Sequence, residues 1–187
     1  MGAHLGSFEV IRAIGRKDTE LRIAMVMHQA NAQKINATLT AINPAAVQDI
    51  IGLGQIDSML KVRECLDNGG VAGMLADRTP GGDTLYPAQI LGASANLPSG
   101  PFRMAALLQR PVVFMTGLYL GGNRYAIHFD RLADFSTIAR DQRDAAVEAA
   151  IARYAALLDQ YCRKAPYNWF NFFDFWQPAP TITPPDS

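Results

Sequence analysis

The sequence predicts an α/β domain whose sheet is mixed but mostly parallel, flanked by helices. Two observations carry that reading. Apolar runs rich in Ile and Val alternate along the chain with segments of helical spacing, and glycine, proline and asparagine mark the changes of period, as turns require. With 187 residues, 49% of them hydrophobic, the chain can bury one substantial core and is short for two domains. Residues 1–176 are expected to form that domain, and the proline-rich residues 177–187 a flexible tail.

The elements follow in order. Phe8, Val10, Ile11 and Ile14 keep helical spacing before Gly15, so residues 6–14 read as a short helix. Residues 21–27 are compact and apolar enough for a buried strand, and 29–42 alternate at helical spacing before Pro44. The unit recurs as a strand at 49–53, a helix at 57–66 ended by Asn68, Gly69 and Gly70, and an apolar strand at 71–76. A turn-rich stretch at 79–83 leads into extended chain as far as Leu91. Pro101 then suits the first turn of a helix running to residue 108. Two strands, 111–120 and 125–129, are expected on either side of Gly121, Gly122 and Asn123. Residues 141–162 form an amphipathic helix with Val147, Ile151, Tyr154, Leu158 and Tyr161 on one face. Met1 to Ala3 leave no room for a strand before His4, so the domain is expected to lack an N-terminal portion.

Composition removes several function classes. Seventeen basic and seventeen acidic residues balance to zero, which argues against a nucleic-acid partner, whose phosphates demand a basic surface. Cys65 and Cys162 lie too far apart for a CxxC metal pair. No run of about 18 apolar residues is present, so membrane contact is expected to be peripheral. Between Tyr167 and Trp176 stand seven aromatics, which either cap the core or face lipid.

Three blocks could carry chemistry. In the first, His4 precedes Glu9 by five positions, with Gly6 and Ser7 at the expected helix start. A histidine can take a proton from an alcohol near neutral pH, and a carboxylate one turn into the helix can hold its ring. The plainer alternative is a surface histidine beside a glutamate favoured by the helix dipole. In the second, the apolar strand containing Gly73 ends in Asp77 and Arg78, where α/β sheets place ligands. Arg78 could grip a phosphate, or the pair could simply close a turn. In the third, Pro98, Ser99 and Gly100 form a rigid turn into a helix that carries Arg103, and its first N–H groups could approach an anion. His28 and His128 have no partner at metal-ligand spacing and are assigned to structure rather than metal.

These blocks, in this order, resemble the lysophospholipid acyltransferase-like superfamily and its lipid A biosynthesis (lauroyl/myristoyl) acyltransferase branch. His4 and Glu9 match the family's first block, Gly73 and Arg78 its second, and Pro98 and Gly100 its third. Arg110 and Pro111 look like its fourth. Two departures stand out: the third block lacks the acidic residue found in many glycerolipid members, and relatives carry on the order of a hundred more residues upstream, including a membrane-directed segment.

The resemblance implies transfer of a fatty acyl group from an acyl carrier protein or coenzyme A thioester to a hydroxyl of a lipid or glycolipid acceptor. The place implied is the cytoplasmic face of a bacterial inner membrane, in lipopolysaccharide synthesis. His4 would be the base and Glu9 its orienting acid. Arg78, Gly73, Pro98, Ser99, Gly100 and Arg103 would bind substrate, and backbone N–H groups near Gly6 and Gly100 would meet the oxyanion. No resident cofactor or metal is implied. Two rivals remain: a truncated, non-catalytic lipid-binding remnant, and a hydrolase delivering the acyl group to water.

Overall fold

The computed structural model describes residues 1–7, 10, 22–28, 50–54, 57–79, 81–172 and 174–176. The helix expected at 6–14 falls almost wholly outside them, as do the helix at 29–42, Glu9 and the tail at 177–187. Within them the architecture is mixed α/β. Strands β1 (Ile23–His28), β2 (Ile50–Leu53) and β3 (Val71–Gly73) form a parallel sheet in the order β2-β1-β3. Helix α1 (Ser58–Asp67) links β2 to β3 and buries Ser58, Val62 and Cys65.

The remaining strands pair antiparallel, which corrects the expectation of a mostly parallel sheet. Strands β4 (Leu85–Ile90) and β5 (Ala93–Pro98) form one hairpin, and β6 (Pro111–Gly121) and β7 (Arg124–Asp134) a longer one. Strand β5 falls where the sequence reading assigned no element, because its signal is weak. Its residues are small and polar, and the two-residue turn before it is Leu91-Gly92, with φ of 56° and 87°. Such turns favour Asn-Gly. Leu91 is held in this conformation by the Asp159 carboxylate, which accepts its N–H at 2.6 Å from a helix 68 residues away.

Residues 1–6 join these pieces through isolated bridges, Gly2 with Leu75, Leu5 with Trp169 and Gly6 with Gly117. The segment runs extended between residues 74–76 and 113–117 and is bonded to both. Gly2 N–H donates to Met74 O (2.9 Å) and Gly2 O accepts from Ala76 N–H (3.0 Å). On the other side the Met1 nitrogen donates to Val113 O (2.6 Å), and Met1 O accepts from Met115 N–H (2.9 Å). Helix α2 (Gly100–Leu107) follows β5, and the long helix α3 (Arg143–Lys164) lies under the assembly. The face foreseen for α3 is the buried one: Val147, Ile151, Tyr154, Leu158 and Tyr161 are all in the core.

Tyr154 sits at the centre. Its ring meets Phe102 of α2 and Phe114 of β6 edge-on, each at 5.4 Å, the geometry aromatic quadrupoles favour. Its hydroxyl donates to Gly2 O at 2.8 Å, tying α3 to the inserted strand. Burial, and then the charge of Asp77, push its pKa well above the ordinary value, so this hydroxyl stays a donor. The aromatic C-terminal segment divides its loyalties. Trp169 stacks edge-on with Phe175 at 4.9 Å and Phe175 is buried, while Tyr167 and Phe172 are exposed.

At the end of the inserted strand Gly6 has φ +73°, and a Cβ there would come within 2.2 Å of Gly117 O. Both the left-handed backbone and the contact exclude a side chain. Gly6→Ala should therefore lose more than about 3 kcal/mol of stability, read as the midpoint of urea unfolding. A midpoint within error of the parent would contradict the close strand approach.

Candidate active site

The inserted strand changes neighbours at His4. Up to Gly2 its partner is the chain at 74–76; beyond His4 the partner is 168–170, where Phe170 N–H donates to His4 O (2.8 Å) and Gly6 N–H donates to Asn168 O (2.8 Å). At this fork the backbone N–H of His4 has no strand carbonyl opposite. Asp77, the residue at which the departing strand turns away, supplies the missing acceptor: its Oδ2 takes the His4 N–H at 3.1 Å. Its other oxygen, Oδ1, lies 2.8 Å from His4 Nδ1. One carboxylate thus holds both the backbone and the ring of the histidine.

The two groups differ in exposure as an acid–base pair would need. The Asp77 side chain is 2% exposed and the His4 side chain 29%. Burial works to raise the Asp77 pKa, but the hydrogen bonds and charge interaction with His4 outweigh it and hold the carboxyl below its usual value. An ionised carboxylate can only accept, so Nδ1 donates to it, and in the neutral ring Nε2 is the nitrogen left to act as base. On the opposite side of the strand the buried Thr116 hydroxyl donates to Leu5 O at 2.9 Å. The backbone carrying the ring is therefore held from both sides.

The other sequence-predicted residues separate into distinct places. Glu9 lies outside the described residues, and the carboxylate that touches the imidazole is Asp77. Arg78 is exposed and follows Asp77 directly in the chain. Gly73 is buried at the end of β3, opposite Met25. Pro98 and Ser99 are buried at the end of β5. The anion expected at the start of α2 is there, but it belongs to the chain: the Asp83 carboxylate accepts Gly100 N–H at 3.0 and 3.2 Å and the Ser99 hydroxyl at 3.3 Å. A Cβ at Gly100 would come within 2.6 Å of that carboxylate. Arg103 is paired with Asp144 of α3 at 3.1 Å.

The backbone donors expected near Gly6 are also occupied, since Gly6 N–H goes to Asn168 O and Ser7 N–H to Gly117 O (2.8 Å). His128 packs 5.0 Å from the Tyr161 ring; burial and then Lys164 depress its pKa. Among the described residues no three metal-ligating side chains cluster, and no helix is long and apolar enough to cross a membrane.

Sequence reasoning had placed Asp77 at a ligand-bearing strand end but not beside His4. A carboxylate directly after an apolar strand is the only signal, and nothing in one dimension ties it to a residue 73 positions earlier. No protein-family model matches the chain, and no curated protein is significantly similar to it.

The depressed pKa carries a sign. A folded-state value below the unfolded 3.8 means that the Asp77 contribution is fully present above that pH and is lost as pH falls through the folded value. Asp77→Asn should unfold more easily at neutral pH by about 1–3 kcal/mol, and the gap from the parent should shrink on acidification to about pH 3. Denaturant titrations at both pH values would measure it; an unchanged gap would contradict an ionised Asp77.

Proposed function

We propose that this chain is an acyltransferase in which His4 is the general base and Asp77 its orienting acid. The observation that supports this reading is the double hold of a buried carboxylate on a partly exposed histidine at the point where two strands diverge. The resemblance of the three sequence blocks to the lipid A biosynthesis branch, which pairs His4 with Glu9 and not Asp77, supplies the reaction class, with a glycolipid or lipid hydroxyl as acceptor and an acyl carrier protein or coenzyme A thioester as donor. Peripheral contact with a bacterial inner membrane belongs to the same reading.

His4 Nε2 takes the proton of the acceptor hydroxyl as its oxygen bonds to the thioester carbonyl carbon. Asp77 steadies the imidazolium that results. The tetrahedral intermediate collapses by breaking the C–S bond, and the leaving thiolate recovers the proton from the imidazolium. Because the N–H groups of Gly6, Ser7 and Gly100 already have protein acceptors, the developing oxyanion draws on another donor. Arg78, exposed beside Asp77 in the chain, suits that role and also the grip on a phosphate.

One observation favours hydrolysis as a second reading: at 29% exposure the His4 ring is open to water, and the same base could activate it unless the acceptor fills the space. The two readings part on product, acylated acceptor against free fatty acid.

His4→Ala should abolish transfer from an acyl thioester while the protein stays folded. Asp77→Asn should lower kcat by about 10²-fold or more, because the imidazolium formed in the reaction loses its counter-charge. The check is thioester consumption resolved by mass spectrometry into the two products, together with the circular dichroism of each variant. Parent-level turnover by folded His4→Ala would end this mechanism.

A further inference from the structure

Strand β7 has one ladder partner among the described residues: β6 runs along one side of it, and no strand or bridge is paired with the other. Which residues turn toward that outer side follows from the hydrogen bonds of β6. Met115 N–H donates to Met1 O, Gly117 O accepts from Ser7 N–H, and Tyr119 N–H donates to Asn168 Oδ1, so these backbone groups point away from β7. Antiparallel pairs alternate between bonded and non-bonded. The β7 residues opposite them, Phe129, Ile127 and Tyr125, therefore aim their own N–H and C=O groups outward.

The same three residues carry an apolar face. Asp130 accepts the Tyr161 hydroxyl at 2.6 Å and His128 packs 5.0 Å from the Tyr161 ring. The side chains of 128 and 130 thus face α3, and those of 125, 127 and 129 face away. Phe129 is 59% exposed and Tyr125 40%, with Ile127 half-buried between them. Natural sheets blunt an exposed edge with lysine, proline or a bulge. From Arg124 to Asp130 there is neither lysine nor proline, and the bulge on β7 comes later, at Leu132.

We infer that this edge is the docking surface for a second copy of the chain, joined antiparallel through β7 with Ile127 on the two-fold axis. The strand's own residues select this occupant. With Ile127 opposite itself, Tyr125 meets Phe129 of the second copy and Arg124 meets Asp130, each contact occurring twice, as two-fold symmetry requires. Aromatic pairs then fill the outward face and opposite charges the face toward α3. The bonded pairs of the new ladder fall on 125, 127 and 129, whose backbone groups point outward. A step either way is worse. An axis at His128 sets the imidazoles against each other and Tyr125 against Arg131, and one at Ala126 sets Arg124 against His128. An axis at Phe129 places Ile127 opposite Arg131 and runs the ladder into the bulge. The interface joins two β6–β7 hairpins into one continuous sheet and is independent of the acyltransferase reading.

Sedimentation of the whole chain should show a monomer–dimer equilibrium at about 10–100 µM, since one added strand pair makes a small interface. Phe129→Lys should weaken it about tenfold or more. That site is exposed and its N–H lies off the β6 ladder, so the circular dichroism of the variant should match the parent. Ile127→Cys, oxidised with glutathione disulfide, should link two copies at that position, because Cα atoms of a bonded antiparallel pair stand about 5.5 Å apart, within disulfide reach. Tyr125→Cys alone should not link to itself, whereas a mixture of Tyr125→Cys and Phe129→Cys should form the mixed dimer. Cys65 and Cys162 are buried, and peptide mapping identifies the bond. A monomer at every concentration up to about 1 mM, including one that gains amide protection at Tyr125 and Phe129 only on added phospholipid vesicles, would overturn the inference. So would a dimer unchanged in Phe129→Lys, linkage of Tyr125→Cys to itself, or slow hydrogen exchange of the Ile127 and Phe129 amides in the monomer, the sign of a segment of the same chain already paired there.

Discussion

Everything in this protein that resembles a reactive centre depends on a single strand insertion. Residues 1–6 lie between two segments that would otherwise belong to separate sheets, and their backbone bonds convert a three-stranded parallel sheet and an antiparallel hairpin into one surface. The insertion ends at a fork, and a fork always leaves a backbone group without its ladder partner. Leaving such a group buried and unpaired costs about as much as a lost hydrogen bond. Asp77 resolves this with a carboxylate, and in doing so brings a negative charge against the imidazole of the same residue.

That solution has a cost of its own. A buried carboxylate is tolerable only when its oxygens are fully bonded, and here both are taken by one residue, the His4 N–H and ring. The arrangement is consequently rigid, with Nδ1 committed to Asp77. Tyr154 and Thr116 extend the rigidity by holding Gly2 O and Leu5 O on either side of the histidine. A base held this way needs no reorganisation when it accepts a proton, which is the property general-base catalysis asks of its scaffold.

Local patterns reached some of this and missed the rest for identifiable reasons. The buried face of α3, the parallel strand–helix–strand unit around α1 and the hairpin turn at Gly121-Gly122-Asn123 were legible because period and turn chemistry are properties of neighbouring residues. His4 was legible as a candidate base. Its carboxylate was sought at Glu9, which lies outside the described residues, whereas an acid it does meet, Asp77, follows the whole parallel sheet in sequence. The Gly100 turn was read as an open anion site, and the anion that fills it, Asp83, comes from a flanking loop whose fold-back the sequence did not announce. Strand β5 escaped notice because its turn begins with a leucine that only the distant Asp159 makes acceptable.

By itself, then, the chain's amino-acid order determined which segments could be helix or strand, which faces could be buried and which residue types could exchange protons. Those follow from side-chain spacing and from chemistry carried by single residues. Which acid meets which histidine, which backbone amides remain available to a substrate and which aromatics share a face were decided only when distant strands came into register, because hydrogen bonds and charges act over a few ångströms of space whatever the separation along the chain.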